Sequence, residues 1–207
     1  MEKEHFIEIE HALLELEQPS LWLNLLLEKP WFHKPPFFDL YQLSKTDQSP
    51  KHHPEGDAWK HTLLVVNEAA KVKNQSSNPR AFMWGAFLHD IGKPETTKRY
   101  KGRITSYNHD VVGAKKAESF LRYFNEPDDF VHLTTAYVRW HMMILYVRKD
   151  LPYGDINQML EDIDANEIAL LGWCDRMGRL NANEVAEREE IRQFIEKVSS
   201  KKGNSKK

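Results

Sequence analysis

Apolar residues recur at helical intervals along most of the chain. Residues 6–17 carry such a pattern, and Ser20 is predicted to cap a second short helix that runs through Leu26. Several prolines then interrupt the periodicity, so residues 30–57 are predicted to form an ordered irregular segment anchored by aromatic side chains. We expect the two N-terminal helices to be packing elements.

The most apolar helix is predicted between a clear start and a clear stop. Asn78 is its expected N-cap with Pro79 at the first helical position, and Gly92 followed by Pro94 ends it. His89 lies on the same face as the apolar residues one and two turns before it. The sequence therefore points the His89 side chain inward, toward the core.

His89 and Asp90 are two adjacent polar residues at the end of a buried helix. Burying an unpaired polar group costs roughly 2–7 kcal/mol, and more for a charged one, so a partner must compensate them. A divalent cation is the simplest candidate. His61 and Asp175 also lie among apolar residues at helical spacing, each on its own predicted helix. The sequence therefore predicts a metal site at which these helices meet.

The remainder of the chain is also mainly helical by period. Short β-prone runs on either side of Lys101-Gly102 predict a small hairpin. Further helices are predicted over residues 108–124 and from about Asp129 to Val147, the second with His141 facing inward. Two more are predicted to start at capping boxes, one of Asp155 with Gln158 and one of Asp164 with Glu167. A last helix is predicted through Ile191 to Val198. The expected fold class is all-α, a helical bundle with a β-hairpin insertion after the His-Asp helix.

Composition limits the partners and the compartment. The 207 residues suit one domain, and a net charge of −2 gives no general attraction to nucleic acid or to a membrane, so phosphate recognition has to be local. The single cysteine, Cys174, excludes an intramolecular disulfide and is predicted to be a packing residue. No apolar run approaches the ~20 residues of a membrane span, and the N-terminus lacks a signal peptide, so we expect a cytoplasmic protein. The oligomeric state stays open.

The candidate metal residues follow a recognisable order along the chain. That order is His61, then His89 with Asp90, then Asp175. It resembles the HD-domain superfamily of metal-dependent phosphohydrolases, over most of the chain from about His53 to Arg179. Residues 53–62 and Lys93-Pro94 further resemble the HD module of some CCA-adding tRNA nucleotidyltransferases and its stand-alone relatives. The short, proline-broken stretch before His53 cannot hold a strand-rich nucleotidyltransferase domain, so we expect a stand-alone relative without CCA addition.

The resemblance implies a divalent metal site with one or two ions per chain. His61, His89, Asp90 and Asp175 would supply two nitrogen and two oxygen ligands, a set that suits Mn, Fe, Co, Ni or Mg. His109 and His141 follow in the order seen in two-metal members, in which the counterpart of Asp90 bridges both ions. They would bind the second metal or contact the substrate phosphate. Alternatively, His109 caps a helix and His141 is a core residue.

Other polar residues near these positions are candidate substrate contacts. Lys93 is predicted to act with Asp90 in catalysis and to bind the substrate by meeting negative charge on phosphate oxygens, although an exposed helix-end lysine is the alternative. Arg179 shares a helix face with Asp175 and could reach a phosphate, while the neighbouring Arg176 is expected at the surface.

The segment before the first metal-ligand helix holds two further candidates. His53 and Glu55 are either phosphate or leaving-group contacts at the rim of the site, or parts of the turn that starts the helix at Asp57. Both interpretations stay open.

The function expected from these residues and the resemblance is hydrolysis of a nucleotide, cyclic phosphate or small phosphoester by metal-activated water. A non-catalytic nucleotide-binding regulatory domain and a di-iron oxygenase like myo-inositol oxygenase are the alternatives. The complete ligand set argues against the first of these, and the match to the tRNA-enzyme module argues against the second. Residues 1–50 are expected to pack on an HD domain of residues 51–198, followed by a disordered basic tail, 199–207.

Overall fold

A computed structural model of the chain describes the backbone of residues 1–204 and the side chains of residues 1–201. The helices and strands are α1 (Glu2–Glu15), α2 (Pro19–Leu23), α3 (Phe38–Gln42), α4 (Ala58–Val72), α5 (Pro79–Leu88), α6 (Lys93–Thr96), β1 (Thr97–Tyr100), β2 (Arg103–Ser106), α7 (His109–Tyr123), α8 (Asp128–Trp140), α9 (Met143–Arg148), α10 (Ile156–Asp162), α11 (Ala165–Met177) and α12 (Glu184–Asn204). Short 3₁₀ turns cover Asn24–Glu28, Leu43–Lys45 and Lys73–Gln75. Helices dominate, and β1 and β2 pair as one antiparallel hairpin. The all-α prediction with a small hairpin is confirmed.

Helix α5 is the centre of the bundle. Its residues from Ala81 to Leu88 are all buried, and it packs against α1, α4, α8 and α11. A helix that is apolar on every side is stable only when neighbours cover its whole circumference. Its start is as predicted, because the Asn78 side chain accepts a hydrogen bond from the Ala81 backbone N–H at 3.0 Å and Pro79 occupies the first turn.

The turn that follows α5 approaches the start of α7 very closely. A Cβ atom on Gly92 would lie 2.2 Å from the backbone oxygen of His109 and 2.6 Å from the backbone nitrogen of Gly113. Any larger residue at this position would force the two segments apart. Gly92 therefore allows the His89-Asp90 turn to lie directly against the residue that begins α7.

The N-terminal segment packs on the central helices. The ring of Phe6 stacks on that of Trp84 in α5 with 4.5 Å between centroids, and the Trp84 indole donates to Glu10 at 2.8 Å. The proline-rich segment is ordered and includes α3, and its buried Phe32 lies 5.5 Å from the Trp59 ring. Aromatic contacts thus attach the first 50 residues to the core.

Two predicted helix features differ in the structure. Pro19, not Ser20, opens α2, and the Ser20 hydroxyl accepts a hydrogen bond from the Asn67 side chain at 2.7 Å. The helix predicted over 129–147 is divided into α8 and α9. The break comes at His141, whose ring donates to the Val138 backbone oxygen at 2.7 Å and so satisfies a carbonyl at the end of α8.

The start of α11 is only partly as predicted. Asp164 caps it by accepting from the Asn166 backbone N–H at 2.8 Å. Glu167 does not complete a capping box, because its carboxylate accepts hydrogen bonds from the Ser77 backbone and the Tyr137 hydroxyl instead. On the same helix Cys174 is buried, and that burial raises the pKa of its thiol, as expected for a packing residue.

Helix α12 continues further than the sequence predicted. It covers residues 199–204, which were expected to be a disordered tail, and residues 205–207 lie outside the described residues. Ion pairs one turn apart, such as Glu184 with Arg188, support its exposed face. None of the described helices is both long enough and apolar enough to cross a membrane.

Candidate metal centre

Asp90 lies in the turn after α5, with a side chain that is 1% exposed. Its two carboxylate oxygens face different groups. Oδ2 lies 2.6 Å from the Lys93 Nζ and 3.2 Å from the His89 Nε2. Oδ1 lies 3.5 Å from the His109 Nε2 and 4.0 Å from the His141 Nε2. One buried carboxylate therefore stands between two sets of polar side chains.

Three of the histidines are oriented by the same local contact. The Nδ1 atom of each donates to the backbone oxygen of the residue three positions earlier, at 2.8 Å for His89, 2.6 Å for His109 and 2.7 Å for His141. Because a carbonyl oxygen can only accept, Nδ1 must carry the hydrogen. In the neutral ring Nε2 then has a lone pair, and this lone pair is directed toward Asp90.

The Nε2 lone pairs of these three histidines lie close to other hydrogen-bond acceptors. The Nε2 atoms of His109 and His141 are 3.1 Å apart, and that of His89 is buried without a hydrogen-bond partner among the described residues. Lone pairs that face one another and a carboxylate repel unless a cation lies between them. Three groups offer ligand atoms that all lie within 4.8 Å of one another: His53, Glu55 and His61; His61, His89 and Asp90; and Asp90, His109 and His141. The last two groups share Asp90. These residues fit a metal ion on either side of Asp90.

Protons are poor candidates for that cation. Burial, with the nearby His109 and His89, lowers the pKa of His141 to about 3. Burial also lowers the pKa of His109, against the attraction of Asp90. Burial alone would favour the protonated form of Asp90, but the adjacent His89 ring and the Lys93 ammonium hold its pKa well below the usual value. The neutral imidazoles of His109 and His141 beside the ionised Asp90 carboxylate are a ligand set for a divalent ion.

His61 is held between two carboxylates. Its Nδ1 lies 2.9 Å from Glu55 Oε1, and its Nε2 lies 2.9 Å from Asp175 Oδ1. Burial opposes protonation, but the hydrogen bond with Asp175 and the adjacent Glu55 carboxylate raise the pKa of His61. Asp175 is outside all three of the three-residue groups found in the described part of the chain, and it contacts the centre through its hydrogen bond with His61. The His61 Nε2 and the Asp175 Oδ1 are the atoms that these two residues would offer to a metal ion.

Glu55 does not lie at the rim of the site, which was one of the two positions that the sequence left open. Its side chain is 2% exposed, and the same oxygen that meets His61 also accepts from His53 Nδ1 at 2.9 Å. His53 does line the cavity above the centre. Burial lowers the pKa of His53 to about 4, so this ring is neutral near pH 7. Glu55 therefore gives His61 the support that backbone carbonyls give the other three histidines.

Lys93 is buried, which excludes the exposed helix-end alternative. Its Nζ contacts Asp90 and donates a short hydrogen bond to the side-chain oxygen of Gln48. The Gln48 amide in turn donates to the Asp57 backbone oxygen at 3.2 Å. Sequence reasoning missed Gln48, because a single glutamine in an irregular segment carries no pattern. Two neighbours thus fix the position of the ammonium group.

The two arginines of the α11 end have different environments. Arg179 contacts both Asp175 oxygens only at 3.4 Å, and its Nε is buried without a hydrogen-bond partner among the described residues. Arg176 is buried, contrary to expectation, and is paired with Glu187 at 3.0 Å and Glu190 at 2.6 Å. Arg179 is therefore the arginine available to an anion.

A cavity of about 830 Å³ opens above these residues. Such a volume is in the range of small-molecule sites. Its floor contains the candidate residues His89, Asp90, Lys93, His109, His141 and Asp175. Its outer part is lined by His53, Arg179 and the loop that follows β2. A small molecule can thus reach the buried centre from solvent.

Comparison with known proteins gives a family match and several partial relatives. A family model described as HD domain matches residues 58–177. The multifunctional CCA protein of Actinobacillus pleuropneumoniae serotype 5b is 37% identical over 105 residues, which are 49% of this chain and 25% of that protein. The protein of the same name from Halorhodospira halophila is 32% identical over 117 residues, 56% of this chain and 26% of its own length. The chain spans about a quarter of the length of these curated relatives.

Glu55→Gln tests the support of His61. The amide keeps the size of the side chain but removes the charge that faces His61, so we expect Mn²⁺ to bind about 10–100-fold more weakly. Titration calorimetry on the metal-free protein measures this affinity. The control is Glu68→Gln. Glu68 also lies on α4, but its carboxylate pairs with the Lys71 ammonium at 2.6 Å and does not face His61. Equal Mn²⁺ affinity in Glu55→Gln and the unchanged protein would contradict the assignment.

Proposed function

The chain belongs to the HD domain family, within a superfamily of metal-dependent phosphohydrolases, and we propose that it is a phosphatase or phosphodiesterase acting on a nucleotide, cyclic phosphate or small phosphoester. The observation that supports this most strongly is the convergence of imidazole nitrogens on both oxygens of Asp90 at the floor of an open cavity. The proposal concerns this domain, since the chain covers only a part of the CCA proteins that it matches.

The residues present divide into two candidate metal positions. His61, His89 and Asp90, with Asp175 beside His61, would hold one ion, and Asp90, His109 and His141 would hold a second. A divalent ion there supplies Lewis-acid chemistry, polarising a phosphoryl oxygen and lowering the pKa of water. Mixed nitrogen and oxygen donors favour Mn, Fe, Co, Ni or Mg over a thiolate-preferring metal.

Lys93 acts on the reacting phosphoryl group in this proposal. Its ammonium is held by Asp90 and Gln48 at the cavity floor and needs little rearrangement when negative charge grows on the phosphoryl oxygens. A fixed cation whose side chain is largely buried stabilises that charge more strongly than the same cation in solvent. This gives Lys93 a catalytic role beyond its pairing with Asp90.

Two further side chains would bind the substrate. Arg179 is only loosely paired, and its unpartnered Nε can donate to a phosphate oxygen. His53 donates through Nδ1 to Glu55, so its Nε2 carries a lone pair in the neutral ring. It would accept a hydrogen bond from a substrate hydroxyl, while Arg179 meets the phosphate charge.

Asp90→Ala tests the proposed function. Removing the carboxylate deletes the ligand common to both positions, so we expect Mn²⁺-stimulated hydrolysis to be lost. The measurement is phosphate release from nucleoside monophosphates, cyclic nucleotides and p-nitrophenyl phosphate. Asp162→Ala is the control, because the Asp162 carboxylate accepts a hydrogen bond from the Trp140 indole and is not one of the candidate metal ligands. Undiminished hydrolysis by a folded Asp90→Ala protein would exclude the proposed site, and an unchanged protein without hydrolysis of any compound would favour a regulatory domain.

Lys93→Gln tests the catalytic cation. Loss of a fixed charge at the reacting phosphoryl group is expected to lower kcat by about 10²–10³. Thermal unfolding with saturating Mn²⁺ should change much less, because bound metal still compensates Asp90. Initial rates over a substrate series separate kcat from KM. A fall in the unfolding temperature that accounts for all lost activity would assign Lys93 a structural role only.

A further inference from the structure

The hairpin beside the cavity has an unusual charge for this protein. Residues 97–107 contain four basic side chains and no acidic one, whereas the whole chain has a net charge of −2. The four basic residues are Lys98, Arg99, Lys101 and Arg103, and all are exposed. A local basic surface on a mildly acidic protein is a specific feature, because overall charge does not account for it.

Most of this positive charge is not neutralised. Among the four, Arg99 has an ion pair in the described part of the chain, with Asp47 at 2.6 Å, and both ends of that pair are more than half exposed. Exposed arginines on the helices instead pair with acidic neighbours on the same helix, as Arg122 does with Glu118 and Arg188 with Glu184. Intrahelical pairing thus leaves those surfaces nearly neutral, and the hairpin retains an excess of cations.

Two exposed aromatic rings accompany the basic residues. Tyr100 is 70% exposed and Tyr107 is 75% exposed, and the Lys101 ammonium lies 5.3 Å from the centre of the Tyr100 ring. Tyrosines so exposed contribute little to the core, but their faces can stack on unpaired bases. Alternating cations and aromatic rings are the composition of surfaces that bind single-stranded nucleic acid.

The hairpin surface is continuous with the cavity. Residues 104–107 line the cavity wall, so Tyr107 belongs both to the hairpin end and to the cavity mouth. The exposed Lys149 and Tyr153, the latter 59% exposed, also line the cavity. A further cation and a further aromatic ring therefore belong to the same cavity as Tyr107. A chain lying on the hairpin would have its end at the entrance to the candidate metal centre.

We propose that the hairpin and the cavity mouth bind a single-stranded nucleic acid whose end enters the cavity. Repeated phosphates match the row of unneutralised cations, and unpaired bases match the two tyrosines. An acidic peptide or an anionic membrane offers charge without flat rings for stacking, and a duplex keeps its bases inside. Binding by the hairpin is independent of catalysis, whereas entry of the end into a reacting position rests on the proposed phosphohydrolase function.

The test is fluorescence anisotropy of labelled oligouridylate and oligodeoxythymidylate about eight nucleotides long, with the full chain and a metal chelator to prevent cleavage. The hairpin variant carries four substitutions that remove the positive charges: Lys98→Gln, Arg99→Gln, Lys101→Gln and Arg103→Gln. We expect its affinity to fall roughly tenfold or more, and its salt dependence, as the slope of log K against log salt, to decrease by up to about three.

Two other variants separate charge from stacking. Tyr100→Ala with Tyr107→Ala should weaken binding without changing the salt slope, because no phosphate contact is lost. The charge-matched control carries Lys71→Gln, Arg122→Gln, Arg188→Gln and Arg192→Gln, all on exposed helix faces with acidic partners. It should bind as the unchanged protein does. The two oligonucleotide types show whether ribose and deoxyribose chains are both accepted.

The outcomes distinguish this proposal from the proposed function. Three results would overturn the proposed nucleic-acid surface. They are no binding of the oligonucleotides, equally weakened binding in the control variant, and stronger binding to phosphatidylserine vesicles than to the oligonucleotides. Hydrolysis of p-nitrophenyl phosphate by the same preparation would still support the phosphohydrolase. Conversely, hairpin-dependent binding by a protein that hydrolyses nothing would support the surface and refute the enzyme.

Discussion

Burial of the Asp90 carboxylate is the constraint on which the site depends. Transferring an ionised carboxylate out of water costs several kcal/mol unless partners compensate it. Helix α5 places Asp90 in the interior because its own residues are apolar on all sides. Lys93 meets one carboxylate oxygen, and the close approach at Gly92 brings His109 toward the other. The fold thus creates a buried negative charge and surrounds it with groups that stabilise it together with a cation.

The ligand geometry follows from supports outside the centre. Backbone carbonyls at helix ends or before a helix start fix three imidazoles with Nε2 inward. His61 sits within α4, where the carbonyls are used by the helix, and Glu55 from the preceding loop takes that role. Gln48 does the same for Lys93. Side chains held in this way lose little entropy when an ion or a phosphate binds.

Local sequence patterns predicted the helices and the hairpin, but contacts between residues distant in the chain determined the partners of several side chains. Asn78 with Pro79 marks the start of α5 because capping acts within one turn. The same local reasoning gave the His89-Asp90 pair its buried position. It failed for Glu167 and Arg176, which have partners on other elements, Tyr137 and the acidic residues of α12. Gln48 could not be found because its partner lies 45 residues away in the chain. The HD resemblance, not periodicity, singled out His109 and His141.

The central claim is that Asp90 is shared by two cation positions. Anomalous diffraction from crystals grown with Mn²⁺, recorded at the manganese absorption edge, tests it most directly. The account predicts two anomalous peaks, one on each side of the carboxylate, the first beside the His89 Nε2 and the second beside the His109 and His141 Nε2 atoms. Two results at saturating Mn²⁺ would contradict the claim. One is the absence of any anomalous peak in contact with Asp90, and the other is a peak only beside His53 and Glu55.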